Sequence, residues 1–279
     1  MIDLHMHSTE SDGSLTPTQL IQLCKEKGLS AVALTDHDTT AGVAEAMAAG
    51  ERSGLRVVPG IEINTEYEGR DVHVTGLFIN TSSGVLQTYL QGIQDSRIEK
   101  NIKTIKRLNE AGLDITEEDF PELRLGTVMT RGNLARVIVS KGYAANTAEA
   151  SARYLSKGCP YYVPRKQADP FEAINAIHAA GGKAFIAHFH QIFRKDRDMS
   201  EAFCRRFLAN GADGLETRYA EFDDELRARA DKMAADFHCL RSGGSDFHGA
   251  IKPNVMVGTG FGDLLVPDEF LTEIEDSIS

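Results

Sequence analysis

An α/β fold, built as a (β/α) barrel of about seven units that carries a helical insertion, is what the order of segments in this chain predicts. Three observations lead there. Short strand-like runs alternate with amphipathic helical stretches through roughly the first 85 residues and again after about residue 165. The stretch 86–164 between them has helical spacing almost throughout. Histidines and carboxylates collect at the C-terminal ends of the strand-like runs, and in a barrel those ends all open on one face. A doubly wound sheet also alternates strands and helices; the placing of the polar residues favours the barrel.

Taken in order, "MIDLHMH" reads as a strand and "TPTQLIQLCKEKG" as a helix, with Thr16 as N-cap, Pro17 at its first position and Gly28 as its stop. "LSAVALTDHD" is a second strand and "TTAGVAEAMAAGERSG" a second helix. "LRVVPGIEINTEY" and "RDVHVTGLFI" follow as strands joined through "EGR". In the insertion, Ile98, Ile102, Ile105 and Leu108 mark the apolar face of one long helix. "TRGNLARVIVSKG" and "NTAEASARYLSKG" read as shorter helices, closed at Gly142 and Gly158. The alternation then resumes. "DPFEAINAIHAAGG", "SEAFCRRFLANG" and "DDELRARADKMAADF" are helices, while "KAFIAHFH", "ADGLETRY" and "LRSGGSDFHG" hold strands. The expected organisation is a barrel from 1–85 with 165–279 and an insertion over 86–164 that serves as a substrate lid.

Composition excludes several classes. A formal charge of -11 argues against a surface that coats duplex nucleic acid, because phosphate repulsion would have to be overcome locally. It permits an anionic substrate where bound cations reverse the sign of one cleft. The cysteines Cys24, Cys159, Cys204 and Cys239 lie far apart with no CxxC pair, which points to reduced thiols and away from a thiolate zinc site. No leader-like start and no apolar run long enough to cross a bilayer is visible, so the expectation is a cytoplasmic enzyme without membrane association.

The polar residues at strand ends carry the chemistry. His5 and His7 end the first strand, His37 the second and Glu62 the third; His73 lies within the fourth. His188 ends "KAFIAH", Asp246 and His248 end "GGSDFH", and Asp12 is on the loop after the first strand. In HxH and DxH both side chains leave a strand on the same side, so each pair can grip one ion or two adjacent ions. Imidazole plus carboxylate without thiolate suits catalytic zinc, manganese or iron. These residues exceed the three or four ligands of one tetrahedral ion, and a cluster of two or three divalent ions follows if they converge. Asp36 and Asp38, flanking His37, suit orientation of ligands or helix capping. His178, inside a helix, and His238, near a strand start, read as ordinary packing or solvation.

Together, "DLHMHSTESDG", "ALTDHDT", "PGIEI", "IAHFH" and "GGSDFHG" resemble the PHP (polymerase and histidinol phosphatase) domain family. "RLNEAGLDIT", "TRGNLARVIVSKGY" and "YLSKGCPYYVP" make the chain most similar to the branch related to ribonuclease AM and 3',5'-nucleoside bisphosphate phosphatases. The resemblance implies a distorted (β/α)7 barrel with a trinuclear site, commonly manganese, iron or zinc. It implies that His5, His7, Glu62 and Asp246 hold a first ion and Asp12, His37 and His248 a second. Glu62 would bridge to a third ion held also by His73 and His188. Members commonly have Pro after the histidine matching His188, whereas this chain has "AHFHQ" and an added imidazole at His190. "TRGN" stands where "RPH" is common, so Asn133 replaces a histidine.

The implied reaction is phosphoester hydrolysis by water activated at the ions. Asp246 would take the proton of that water, and His190 or a metal-bound water would protonate the leaving oxygen. Arg131, Lys157, Arg165 and Arg194 are the basic candidates for the substrate's phosphates, with Arg131 and Arg194 preferred. Tyr161 and Tyr162 suit stacking on a base or plain packing. A substrate with two anionic groups fits best: a nucleoside 3',5'-bisphosphate or the 5' end of a short RNA. Histidinol phosphate, amide or C–N hydrolysis, and a non-catalytic module that uses metal to stabilise a partner are the alternatives.

Overall fold

The computed structural model describes residues 1–121, 123, 129–164 and 167–278. Strands β1 (Ile2–Asp3), β2 (Ala31–Leu34), β3 (Arg56–Tyr67), β4 (Arg70–Leu77), β5 (Lys183–Ile186), β6 (Gly214–Tyr219) and β7 (Leu240–Gly244) pair in that order. The sheet closes on itself between its two ends. The Leu4 N–H donates to the Gly243 carbonyl at 3.0 Å, and that of His7 to the Phe247 carbonyl at 2.9 Å. The chain is therefore a seven-stranded barrel, not an open doubly wound sheet.

Its distortion has an identifiable source. β1 to β3 and β5 to β7 run parallel, but β4 is antiparallel to both of its neighbours. β3 and β4 form a hairpin through Glu68 and Gly69, because this two-residue link is far too short for the crossover that parallel strands require. The register pairs Asn64 with His73 and Glu62 with Thr75, so Glu62 and His73 lie on one face of the hairpin.

The first strand is shorter than its sequence suggests. Asp3 interrupts the ladder: its carboxylate accepts the backbone N–H groups of His5 at 3.3 Å and Ser245 at 2.9 Å. Only an isolated bridge, Met6 to Phe247, continues the pairing. The helix at Pro17–Glu26 forms as its signals predict, with the Thr16 hydroxyl accepting from the Gln19 N–H and Gly28 in the left-handed region beyond its end. The helix predicted from "SEAFCRRFLANG" begins three residues earlier, at Arg197, because Asp196 caps it.

Residues 1–89 with 167–279 make one compact unit, and 90–166 make a second. The second has its own core, including Leu108, Ile115, Phe120, Leu134 and Ile138. Ile105 and Leu108 are buried there, but Ile98 is exposed. Asn101 takes the inward place one turn before Ile105 and stays buried because its amide donates to the Met129 carbonyl at 2.8 Å. "NTAEASARYLSKG" winds as one α-turn, Thr147–Ala150, followed by a wider π-type turn, Ser151–Leu155. All four cysteines are free thiols, with Cys24 and Cys204 buried. Among the described residues, no helix is long and apolar enough to cross a membrane.

Candidate metal centre

The residues at the strand ends converge at one mouth of the barrel. Ligand atoms of His5, His7, Glu62 and Asp246 all lie within 4.8 Å of one another, as do those of His7, Asp12, His37 and His248, and those of His37, Glu62 and His73. His188 joins through the same carboxylate: its Nε2 is 2.9 Å from Glu62 Oε1, an oxygen that His73 Nδ1 also approaches at 2.8 Å. Two details differ from the grouping that the sequence resemblance implies. His7 reaches both Glu62 and the Asp12 side of the cluster, and His37 stands beside His73.

Local structure explains how each group arrives. His5 and His7 alternate along the extended start, and their Nε2 atoms lie 3.1 and 3.2 Å from Glu62 Oε2. β7 passes against His5 only because residue 244 is glycine; a Cβ there would stand 2.4 Å from the His5 nitrogen. Asp36 accepts the Ser8 N–H and the hydroxyls of Ser8 and Ser11, fixing the loop that carries Asp12. Asp38 likewise takes the backbone and side-chain N–H groups of Asn64. Both aspartates therefore brace the loops around the site. His188 and Asp246 have φ of 26° and 55°, values uncommon for side-chain-bearing residues and typical of strained functional positions.

The donors fit a cation. His5 Nε2, both nitrogens of His7, His37 Nδ1 and Glu62 Oε2 are buried and make no properly directed hydrogen bond. Several imidazole lone pairs aimed at one carboxylate oxygen repel it unless a positive charge lies between them. The same demand appears in the protonation equilibria. Burial by itself pushes the Glu62 and Asp246 carboxyls up, yet the imidazoles around Glu62, and Lys252 with His248 beside Asp246, hold both well below the carboxylate range. Burial likewise opposes a charge on His7, but Asp246 and Glu62 carry it up to about 9. At His37 burial wins and drives the imidazole down to about 3.

Three supporting residues were not singled out in the sequence. Glu216, on β6, is fully buried; it faces His5 Nδ1 with one oxygen and accepts the His188 backbone N–H with the other, each at 2.6 Å. Tyr219 donates its hydroxyl to Asp246 Oδ2 at 2.8 Å, and Lys252 Nζ lies 2.6 Å from that oxygen. Nothing in the local sequence pattern marks Glu216 or Lys252; the burial of the run "GLE" is visible only in the structure.

The remaining candidates lie elsewhere. His190 is outside the three ligand groups: its Nε2 meets Glu221 Oε2 at 3.0 Å, and its Nδ1 is enclosed without a hydrogen bond. Arg194 is exposed and touches Gln191 Oε1 at 3.4 Å. Arg131, at the start of the helix Arg131–Ser140, and Lys157 are exposed residues of the second unit. Asn133 completes the cap of that helix, accepting from the Thr130 N–H and hydroxyl. Arg165 lies outside the described residues. Tyr161 packs on Tyr154, with ring centroids 5.9 Å apart, so packing accounts for it. His178 pairs with Asp213 at 2.6 Å, and His238 closes the helix Asp224–Phe237 in the left-handed region.

Comparison with known proteins agrees with this architecture. Over 250 residues the chain is 36% identical to a 5'-3' exoribonuclease of Haemophilus influenzae, covering 88% of this chain and 89% of that protein. It is 34% identical over 255 residues to a 3',5'-nucleoside bisphosphate phosphatase of Chromobacterium violaceum, covering 88% and 87%. A solved structure from Bifidobacterium adolescentis, assigned as a metal-dependent phosphoesterase, superposes with a TM-score of 0.85 at 32% identity, covering 98% and 94% of the two chains. The model of the PHP domain matches residues 3–210, and the chain belongs to the PHP domain family.

Proposed function

We propose that the protein is a metal-dependent phosphoester hydrolase. Its preferred reaction, in this reading, is removal of the 3'-phosphate of a nucleoside 3',5'-bisphosphate, with 5'-to-3' trimming of short RNA as a related activity. The observation that carries the first statement is the set of overlapping ligand groups built around Glu62 in a PHP barrel. The narrower statement is supported by near-full-length similarity to both a bisphosphate phosphatase and an exoribonuclease.

His5, His7, Glu62 and Asp246 would hold one divalent ion, Asp12, His37 and His248 a second, and Glu62, His73 and His188 a third. A set of imidazoles and carboxylates is compatible with manganese, iron or zinc, and manganese is the ion assigned here on the family resemblance. Such ions clamp phosphoryl oxygens and make water nucleophilic near neutral pH. Asp246, kept ionised by Lys252 and His248, is assigned the proton of that water at Oδ1, since Tyr219 and Lys252 occupy its other oxygen and Oδ1 faces His7 Nε2 at 3.2 Å. His190 protonates the leaving oxygen once its ring turns from Glu221. Arg131, Lys157 and Arg194 are assigned to the substrate's second anionic group on the sequence alone.

The test, with manganese added, is phosphate release from adenosine 3',5'-bisphosphate and histidinol phosphate, and release of 5'-mononucleotides from a 5'-phosphorylated oligoribonucleotide. Preference for the bisphosphate supports the reading. Preference for histidinol phosphate overturns the substrate assignment, and no release from any ester overturns the hydrolase.

A further inference from the structure

Lys252 is the one lysine that the described structure sets against a candidate metal ligand. Its Nζ lies 2.6 Å from Asp246 Oδ2, and the side chain as a whole is 39% exposed. Asp246 has no need of it for hydrogen bonding, since Tyr219 already donates to the same oxygen at 2.8 Å. Glu62 and Asp12 also lie within electrostatic reach of the ammonium. With divalent ions in place, a lysine here stands beside like charge. That placement is favourable when a dianionic group lies between the lysine and the ions, as a bound phosphoryl group would.

The backbone holds Lys252 in this position. Gly249 has φ of 64°, and a Cβ there would come within 2.0 Å of Ser14 Oγ, which accepts the Ala250 N–H at 2.8 Å. The segment is thereby pinned to the loop that carries Asp12. Pro253 disfavours helical backbone at Lys252, and Lys252 lies outside the helical region at φ -120°, ψ 71°. The side chain thus leaves a fixed point, so little ordering remains to be done when an anion arrives.

We propose that Lys252 is a substrate-contacting residue that grips the phosphoryl group at the metal centre. This assignment rests on reading the site as a phosphoesterase.

The experiment titrates inorganic phosphate by calorimetry into the full chain loaded with manganese, as wild type, Lys252→Met and Lys252→Arg. Metal content of each is measured by mass spectrometry, and KM and kcat with adenosine 3',5'-bisphosphate. Loss of one charge-assisted contact predicts that Lys252→Met binds phosphate about tenfold or more weakly and raises KM in parallel. Manganese content should equal that of the wild type, and Lys252→Arg should recover most of the binding. Equal phosphate affinity in Lys252→Met and wild type overturns the proposal. So does loss of manganese in Lys252→Met, because Lys252 would then act only by positioning Asp246. A wild type that binds phosphate through Lys252 yet hydrolyses no ester supports the contact and overturns the hydrolase reading instead.

Discussion

Glu216 Oε1 lies 2.6 Å from His5 Nδ1, across 211 residues of sequence. When a metal ion takes the place of the Nε2 proton, this contact favours the tautomer protonated on Nδ1 and leaves the Nε2 lone pair facing the Glu62 side. The other Glu216 oxygen holds the backbone of His188, so one buried carboxylate orients two candidate ligands. Replacing it by glutamine keeps the shape and removes the charge. Glu216→Gln should weaken manganese binding by roughly 10–100-fold, the usual loss for such a supporting group. Calorimetric titration of manganese into metal-stripped protein reads this, and an unchanged affinity would show that His5 and His188 are held without Glu216.

Glu62 and His73 contribute unequally. Glu62 belongs to two of the ligand groups and also meets His188, whereas His73 belongs to one. Glu62→Gln should therefore lose more metal per chain than His73→Ala, and both should stay folded by circular dichroism. Equal metal counts in the two variants would contradict a cluster shared through Glu62.

The metal-stripped protein should lose stability as pH rises. Burial disfavours the charged form of His7, but Asp246 and Glu62 raise its folded pKa to about 9 from an ordinary 6.5. A raised imidazole contributes stability that is complete below 6.5 and lost as pH climbs through 9. With chelator present, the unfolding midpoint should fall across that window. Manganese must displace the proton, so it should raise the midpoint more at pH 9 than at pH 6.5. A flat profile for the stripped protein would count against this coupling.

A general acid matters only when the leaving group is poor. If His190 turns from Glu221 to protonate the departing oxygen, His190→Ala should lower kcat by about 10²–10⁴ with a nucleoside ester. The loss should shrink to near nothing with a nitrophenyl phosphate, whose leaving group needs no proton. An equal loss on both substrates would assign His190 a structural role beside Glu221.

Much of the fold was legible because its signals are local. Thr16, Pro17 and Gly28 bound the first helix by chemistry within a few residues, and the alternation of runs foretold the barrel. Less was legible where a buried polar group satisfied itself at a distance. Asp3 breaks the first strand by bonding Ser245 and Gly258, and Asn101 enters the second unit's core through the Met129 carbonyl. Periodicity counts such residues as outward-facing.

By itself the sequence determined the donor set and the spacing that lets neighbouring imidazoles share one side of the chain. Both depend only on residue type and backbone geometry. Tertiary structure decided which donors meet. Antiparallel β4 turns His73 toward Glu62 although it does not end a parallel strand, and closure of the barrel brings Asp246, with Lys252 beside it, to His5 and His7. A carboxylate that will be buried and one that will be solvated are the same letter in a sequence; only the packing around them tells Glu216 from a surface charge.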